Sequence, residues 1–195
     1  MRTLALIEFV TLDGVMQSLG SATEDREGGF EYGGWSQPYG DEVLGRAAVE
    51  GMADTTAYLF GRKTYEHMAA HWPNEPDTNP IAAHLNSTPK HVASTTLTHL
   101  DWAGSQLLEG ELTHAVHELK ATGAGTIAVL GSGVLAQELI EHDLVDEYRL
   151  LIHPLVLGAG KRLFRATPRP LRLELVSCVS TTTGVLLASY RSKRS

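Results

Sequence analysis

Apolar positions recur along this chain with two periods, and the change from one to the other marks its elements. Thr3–Thr11 (TLALIEFVT) is a short apolar run rich in strand-tolerant residues, interrupted only by Glu8 and closed by the turn signal Asp13-Gly14. Asp41–Ala53 places Leu44, Ala47, Ala48 and Met52 at helical spacing, with Asp41 and Glu42 in the first turn, where the helix dipole favours acids. Thr56–Phe60 reads as a strand that runs into Gly61-Arg62-Lys63-Thr64, and Thr64–His71 then reads as helix up to Trp72-Pro73. A polar stretch, Asn74–Pro80, precedes a short helix and a strand at His91–Ser94. Leu112–Ala121 is a helix closed by Gly123, and Thr126–Leu130 is a strand of buried type. Gly131-Ser132-Gly133 then leads into a helix over Val134–His142, followed by a strand at Glu147–Ile152 and a Gly/Pro loop at His153–Lys161. The C-terminal part predicts two strands, Arg172–Ser180 and Val185–Tyr190, joined by a Thr-Thr-Thr-Gly turn.

One stretch carries no period. Val15–Pro38 is rich in Gly, Ser, Glu and Gln, and a long loop inside a compact domain is expected to be functional, here as a mobile lid. Strands that alternate with helices and end in a hairpin predict an α/β sheet with an antiparallel edge. With no internal repeat and no linker, residues 1–195 read as a single domain.

Composition narrows the function classes. The chain has 195 residues, 43% hydrophobic and 20% charged, enough apolar content for a buried core. Sixteen Lys and Arg against 23 Asp and Glu leave a net charge of −7, which argues against nucleic-acid binding through bulk charge. The lone Cys178 excludes an internal disulfide and a cysteine-built zinc site. The apolar run near the start is too short for a signal peptide or a membrane span, so a soluble, cytoplasmic protein is expected.

Two glycine-rich turns are the candidates for chemistry. In an open α/β sheet, ligands bind beyond the carboxyl ends of strands, where helix N-termini present unpaired N–H groups to anions. Gly131-Ser132-Gly133-Val134-Leu135-Ala136 fits G-x-G-x-x-A, equally a tight strand-to-helix turn. The acid that a dinucleotide-binding Rossmann unit needs at the next strand end is missing, since that strand ends in His153-Pro154. Gly160-Lys161 is followed by Arg162, which does not make a Walker loop. In the other turn, Gly61 permits close approach, Thr64 can cap a helix, and Arg62 and Lys63 supply cations, with no acid expected nearby. His67 and His71 stand at i, i+4 without a third ligand, so no metal site is expected.

Taken in order, Gly61-Arg62-Lys63-Thr64-Tyr65-Glu66, Lys90-His91-Val92-Ala93-Ser94 and Ile127-Ala128-Val129-Leu130-Gly131-Ser132-Gly133 make the chain resemble the dihydrofolate reductase-like family. Leu12-Asp13-Gly14, Asp146-Glu147, and Pro154 to Gly160 followed by Leu163-Phe164 are similar to the subgroup that contains the reductase domain of bacterial riboflavin biosynthesis. The resemblance implies a three-layer α/β/α fold with a mostly parallel central sheet and an antiparallel C-terminal hairpin. It also implies NADPH as cofactor. Arg62, Lys63 and Thr64, after Gly61, would lie at the adenosine phosphate and pyrophosphate, and Ser94 and Thr95 at the adenosine end. Gly131, Ser132, Gly133, Val134 and Leu135 would cradle the pyrophosphate, and Val15 would lie near the nicotinamide.

On the acceptor side, Trp35, Tyr39 and Asp41 are candidate substrate residues, and Asp13 and Glu42 are candidate proton donors. Asp41 and Glu42 read equally as first-turn acids, and Asp13 as a turn residue bonding its own backbone. The expectation is an NADPH-dependent reductase of a C=N or C=O group in a small pteridine-like, pyrimidine-like or sugar-adduct substrate. The alternative is a non-catalytic NADP(H)- or ligand-binding protein that keeps the fold. The exposed edge of the C-terminal strands, together with the resemblance, predicts a homodimer. Neither a nucleic acid nor a membrane is an expected partner.

Overall fold

The computed structural model describes residues 1–165 and 169–193. Among the described residues the strands are β1 (Thr3–Thr11), β2 (Thr55–Gly61), β3 (Lys90–Ala93), β4 (Ser105–Leu107), β5 (Thr126–Leu130), β6 (Glu147–His153), β7 (Leu173–Ser180) and β8 (Leu186–Ser192). The α-helices among them are α1 (Glu42–Met52), α2 (Arg62–His71), α3 (Pro80–Ser87), α4 (Leu112–Ala121) and α5 (Gly133–Glu141). The strands form a mixed sheet in the order β4-β3-β2-β5-β1-β6-β8-β7, mostly parallel with an antiparallel C-terminal hairpin, as the element pattern predicts. Among the described residues no helix is long and apolar enough to cross a membrane. The chain divides into two compact units, Met1–Ala5 with Ala47–Asp146, and Leu6–Arg46 with Glu147–Ser195.

In the first unit β2 is the pivot, pairing in parallel with β3 on one side and β5 on the other. Ala57, Tyr58, Leu59 and Phe60 are all buried, so both faces of the strand are covered, as parallel sheets require. Two helices begin on side-chain caps. Asn79 Oδ1 accepts from the amides of Ile81 and Ala82 ahead of α3, and the Glu111 carboxylate accepts from those of Thr113 and His114 ahead of α4. The buried Lys90 ammonium donates to the carbonyls of Leu85 and Thr88 at 2.7 Å and lies 4.6 Å from the Trp102 ring centre. Burial pulls its pKa down to about 8, so the carbonyls at the end of α3 are what hold its charge.

Element ends shift from the sequence reading by one or two residues at several places, and two differences matter for the site. β4 is three residues long, too short to show a period, and exists because Lys90–Val92 pairs with it in register. α2 starts at Arg62 rather than Thr64, because the strand ends on Gly61 and the helix follows without a connecting turn. Arg62 and Lys63 are therefore first-turn helical residues.

In the second unit β6 and β7 flank β8 as antiparallel neighbours, with register Glu147↔Arg191 to Ile152↔Leu186. Alternation along β1 is uneven: Leu6, Glu8 and Val10 are buried, whereas Ile7 and Phe9 on the opposite face are only half-buried. β7 is an outer strand whose Leu175, Val176 and Val179 are exposed.

The segment over Val15–Pro38 is a long loop with short 3-10 turns at Glu27–Gly29 and Gln37–Tyr39, anchored at several points. Val15 bridges to Arg162, the Met16 amide donates to the Lys161 carbonyl, and Val15, Phe30 and Trp35 form their own buried cluster. The Gln17 side chain donates to the carbonyls of Asp25 and Glu27 and accepts from the Lys161 amide. Lys161 Nζ in turn pairs with Asp25 at 2.7 Å and Glu27 at 2.6 Å. Gly160 is obligatory here: its φ is +117°, and a Cβ would sit 2.7 Å from both Phe30 and Val15. Side-chain-to-backbone bonds, which leave no hydrophobic period, hold this segment in place.

Candidate functional site

In the first unit the parallel register brings three strand ends to one edge. Gly61 pairs with Ala93, and Leu59 with Val129, so the carboxyl ends of β2, β3 and β5 lie side by side, with Ser94 and Gly131 just beyond them. The N-termini of α2 and α5 are joined there. The Gly61 amide donates to Ser132 Oγ at 2.9 Å, and a Cβ on Gly131 would meet Thr64 Cγ2 at 3.5 Å.

The Gly61–Ser132 bond decides what the site can offer. Ser132 sits in the left-handed region at φ 66°, ψ 48°, and its hydroxyl is used on Gly61, so it makes no cap bond to α5. Gly61, the cap of α2, has no side chain to give. Both helices therefore begin without side-chain caps, and first-turn amides have no acceptor within their own helix. Two adjacent uncapped N-termini have the donor chemistry an anion needs, and Arg62, Lys63 and Thr64 stand in α2's first turn beside them.

The remaining residues expected at the cofactor fall into place unevenly. Gly133 and Val134 open α5, with Val134 exposed, whereas the Leu135 side chain is buried and leaves only its backbone to a ligand. Ser94 Oγ accepts from the amides of Thr96 and Leu97, closing its own turn, and Thr95 is exposed. The expectation that no acid stands near Arg62 fails. Glu66, one helical turn on, places both carboxylate oxygens 3.2 Å from Arg62 Nη1.

The second unit gathers the acceptor-side candidates differently from the sequence reading. Asp13 accepts from Thr11 Oγ1 at 2.6 Å, from the amides of Leu157 and Gly158, and from Arg162. The Thr11 hydroxyl, then those amides and the Arg162 guanidinium, hold its carboxyl well below the usual carboxylate range. Asp13 is thus a fixed anion that ties its turn to the 157–162 segment, and the proton-donor role does not fit it. Asp41 accepts from the Leu44 amide, capping the start of α1, and from the amide and hydroxyl of Thr182. These bonds, with the Thr182 hydroxyl foremost, hold it down at about 2, so it is a joint rather than a free substrate contact. Glu42 is exposed in the first turn of α1.

Trp35 and Tyr39, by contrast, come together, around a histidine that no motif marks. The His153 ring is fully buried, with ring centres 5.0 Å from Trp35, 5.4 Å from Tyr39 and 5.8 Å from Phe9. Its Nδ1 lies 2.9 Å from the Leu151 carbonyl, and burial outweighs the carbonyls of Leu151 and Val10 to pull its pKa down. Val15 joins the same cluster as a core side chain, with its own amide and carbonyl both engaged by Thr11. On the opposite face of β1, Glu8 is fully buried, neither carboxylate oxygen has a hydrogen-bond partner among the described residues, and burial pushes its pKa well up. Its only sequence signal was a charge inside an apolar strand.

An α/β sheet whose strand ends meet uncapped helix N-termini at one edge has the architecture in which ligands bind beyond the carboxyl ends of the strands. Comparison gives the family: residues 2–187 match the RibD C-terminal domain, and the chain belongs to that family. It is 32% identical over 135 residues to the uncharacterized protein YyaP of Bacillus subtilis (strain 168), covering 68% of this chain and 71% of that protein. Among solved structures it is similar to a putative riboflavin biosynthesis protein from Shewanella sp. PV-4, with a TM-score of 0.72 at 21% identity, over 98% of this chain and 99% of the other. A pyrimidine reductase-like protein from Corynebacterium diphtheriae aligns over 100% of this chain and 93% of its own, with a TM-score of 0.64 at 13% identity. Dihydrofolate reductase from Enterococcus faecalis, complexed with NADP(H) and RAB-propyl, gives a TM-score of 0.62 at 14% identity over 98% and 97%. The fold is thus dihydrofolate reductase-like.

Proposed function

We propose that this protein is an NADPH-dependent reductase that passes hydride to a C=N or C=O group of a small pteridine-like, pyrimidine-like or sugar-adduct substrate. The observation that carries the reading is the pair of uncapped helix N-termini clasped by the Gly61–Ser132 bond, with Arg62 and Lys63 in α2's first turn. A pyrophosphate suits the amides of Gly133 and its successors, and a 2′-phosphate suits the guanidinium of Arg62. Family membership and the NADP(H) complex of the dihydrofolate reductase neighbour support the same cofactor.

The residues present fit that group in chemistry: donors of the right type are uncapped and near cations. When bound, NADPH supplies the hydride. The chain's own part is to hold the phosphates with the α2 and α5 amides and to keep Arg62 and Thr64 in the first turn of α2. In the second unit Trp35 and His153 are buried against each other, so the half-buried Tyr39 and Phe9 are the rings with surface left for a planar acceptor. One specific observation favours the alternative of a non-catalytic NADP(H)-binding protein: Asp13 is locked as an anion and Glu42 is exposed, so neither is placed as a buried proton donor.

Titration with NADPH and NADH, followed by nicotinamide fluorescence, tests the cofactor. Arg62→Ala is expected to weaken NADPH about tenfold and leave NADH unchanged, the lower end for a charge-assisted bond because an exposed guanidinium is screened. Equal weakening of both nucleotides would make Arg62 a structural residue and sink the 2′-phosphate assignment. NADPH oxidation with a panel of pterins, aminopyrimidines and quinoid acceptors then separates reductase from binding protein. The assembly we propose is a homodimer built through the exposed β7 edge.

A further inference from the structure

We infer that Glu66 is a resident competitor for the group that Arg62 takes, and that it sets the preference between NADPH and NADH. The inference rests on the cofactor reading above and names the residue that tunes it.

Arg62 and Glu66 stand one helical turn apart on α2, so their side chains share a face. Both Glu66 oxygens lie 3.2 Å from Arg62 Nη1, and the two side chains are 42% and 46% exposed. An exposed pair of this kind is held weakly and exchanges partners readily. A 2′-phosphate that takes Arg62 must either displace Glu66 or sit beside its charge, and in both cases the carboxylate opposes a group that is nearly dianionic. The same carboxylate is an acceptor, suited to the hydroxyl donors of an unphosphorylated ribose. Glu66 therefore works against NADPH and not against NADH, and the preference for NADPH that Arg62 creates is held below its limit.

The test is nucleotide titration of wild type, Glu66→Gln and Glu66→Ala at low and high salt, with NADPH and NADH as the probes. Both substitutions lie on an exposed helix face, and thermal melts of the free proteins check that folding is unchanged. Glu66→Gln is expected to tighten NADPH about three- to tenfold without tightening NADH, with a smaller gain at high salt. Glu66→Ala is expected to shift the ratio in the same direction. Unchanged or weaker NADPH binding in both variants, or equal tightening of both nucleotides, overturns the role of Glu66 and leaves the cofactor reading standing. Failure of the wild type to bind NADPH overturns both.

Discussion

Glu8 carries a buried carboxyl group on β1, and its cost can be measured. A carboxyl group with no exposed surface and no hydrogen-bond partner among the described residues has lost its hydration without a protein bond to replace it. Leaving a buried polar group unsatisfied costs about 1–3 kcal/mol, and replacing buried charge by apolar residues of similar volume often gains about 1–4 kcal/mol. Glu8→Met, which keeps the unbranched shape on β1, is therefore expected to stabilise the protein by roughly 1–3 kcal/mol at pH 8. For a chain of this size that is about 2–4 °C in Tm for each kcal/mol.

The pH dependence separates burial of an acid from simple overpacking. An unfolded Glu titrates near about 4.3, and burial raises the folded value well above that. Below the unfolded value both states hold the proton and Glu8 adds no pH-dependent penalty. As the pH rises, the unfolded chain releases the proton and the folded chain keeps it, so stability falls by about 1.4 kcal/mol per pH unit until the folded group also ionises. Glu8→Gln cannot ionise, so its advantage over wild type is expected to be smallest near pH 4 and to grow toward pH 8. Urea unfolding of the three proteins from pH 4 to pH 8 reads this directly. Parallel stability curves for wild type and Glu8→Gln would refute an isolated buried acid, as would a Glu8→Met variant less stable than wild type at pH 8.

Other expectations concern the second unit's anchors and its edge. Asp13→Asn is expected to destabilise the protein at neutral pH by about 1–2 kcal/mol, because it loses charge-assisted bonds. Since the folded pKa is depressed, the difference from wild type should shrink progressively as the pH falls below about 4, where the unfolded carboxyl begins to hold its proton, and a gap at pH 2 as large as at neutral pH would contradict the assignment. Hydrogen exchange of the free protein should show protection at the Met16, Gly34 and Leu163 amides, each bonded to a backbone carbonyl; rapid exchange there would restore an open lid. Light scattering at micromolar concentration should give a dimer mass that Val176→Lys or Val179→Lys reduces to that of a monomer, and a monomeric wild type would end the edge-pairing proposal.

Elements with a strong period were legible in the chain, and the structure returns Leu112–Ala121 and Thr126–Leu130 with the boundaries their patterns predict. The glycine turns marked the strand ends that the register sets side by side. Bonds from side chain to backbone were not legible, because they follow no period. Gln17, Trp35 and Lys161 organise a segment that composition alone presents as loose, and Asp13 spends its charge on amides more than 140 positions along the chain. His153 was visible only as the wrong residue for a ribose-binding acid, because its setting depends on Trp35 and Tyr39 folding back against it.

Arg62 and Glu66 are the instructive case, since their pairing follows from spacing once both are known to be helical. Reading Gly61 to Thr64 as a turn removed Arg62 from the helix and with it the i, i+4 relation. The strand in fact ends on Gly61 and the helix begins on the next residue, so a boundary displaced by two positions hid the Arg62–Glu66 pair. The chemistry at a strand end therefore depends on where the first helical turn begins, because that register decides which charges are already paired before a ligand arrives.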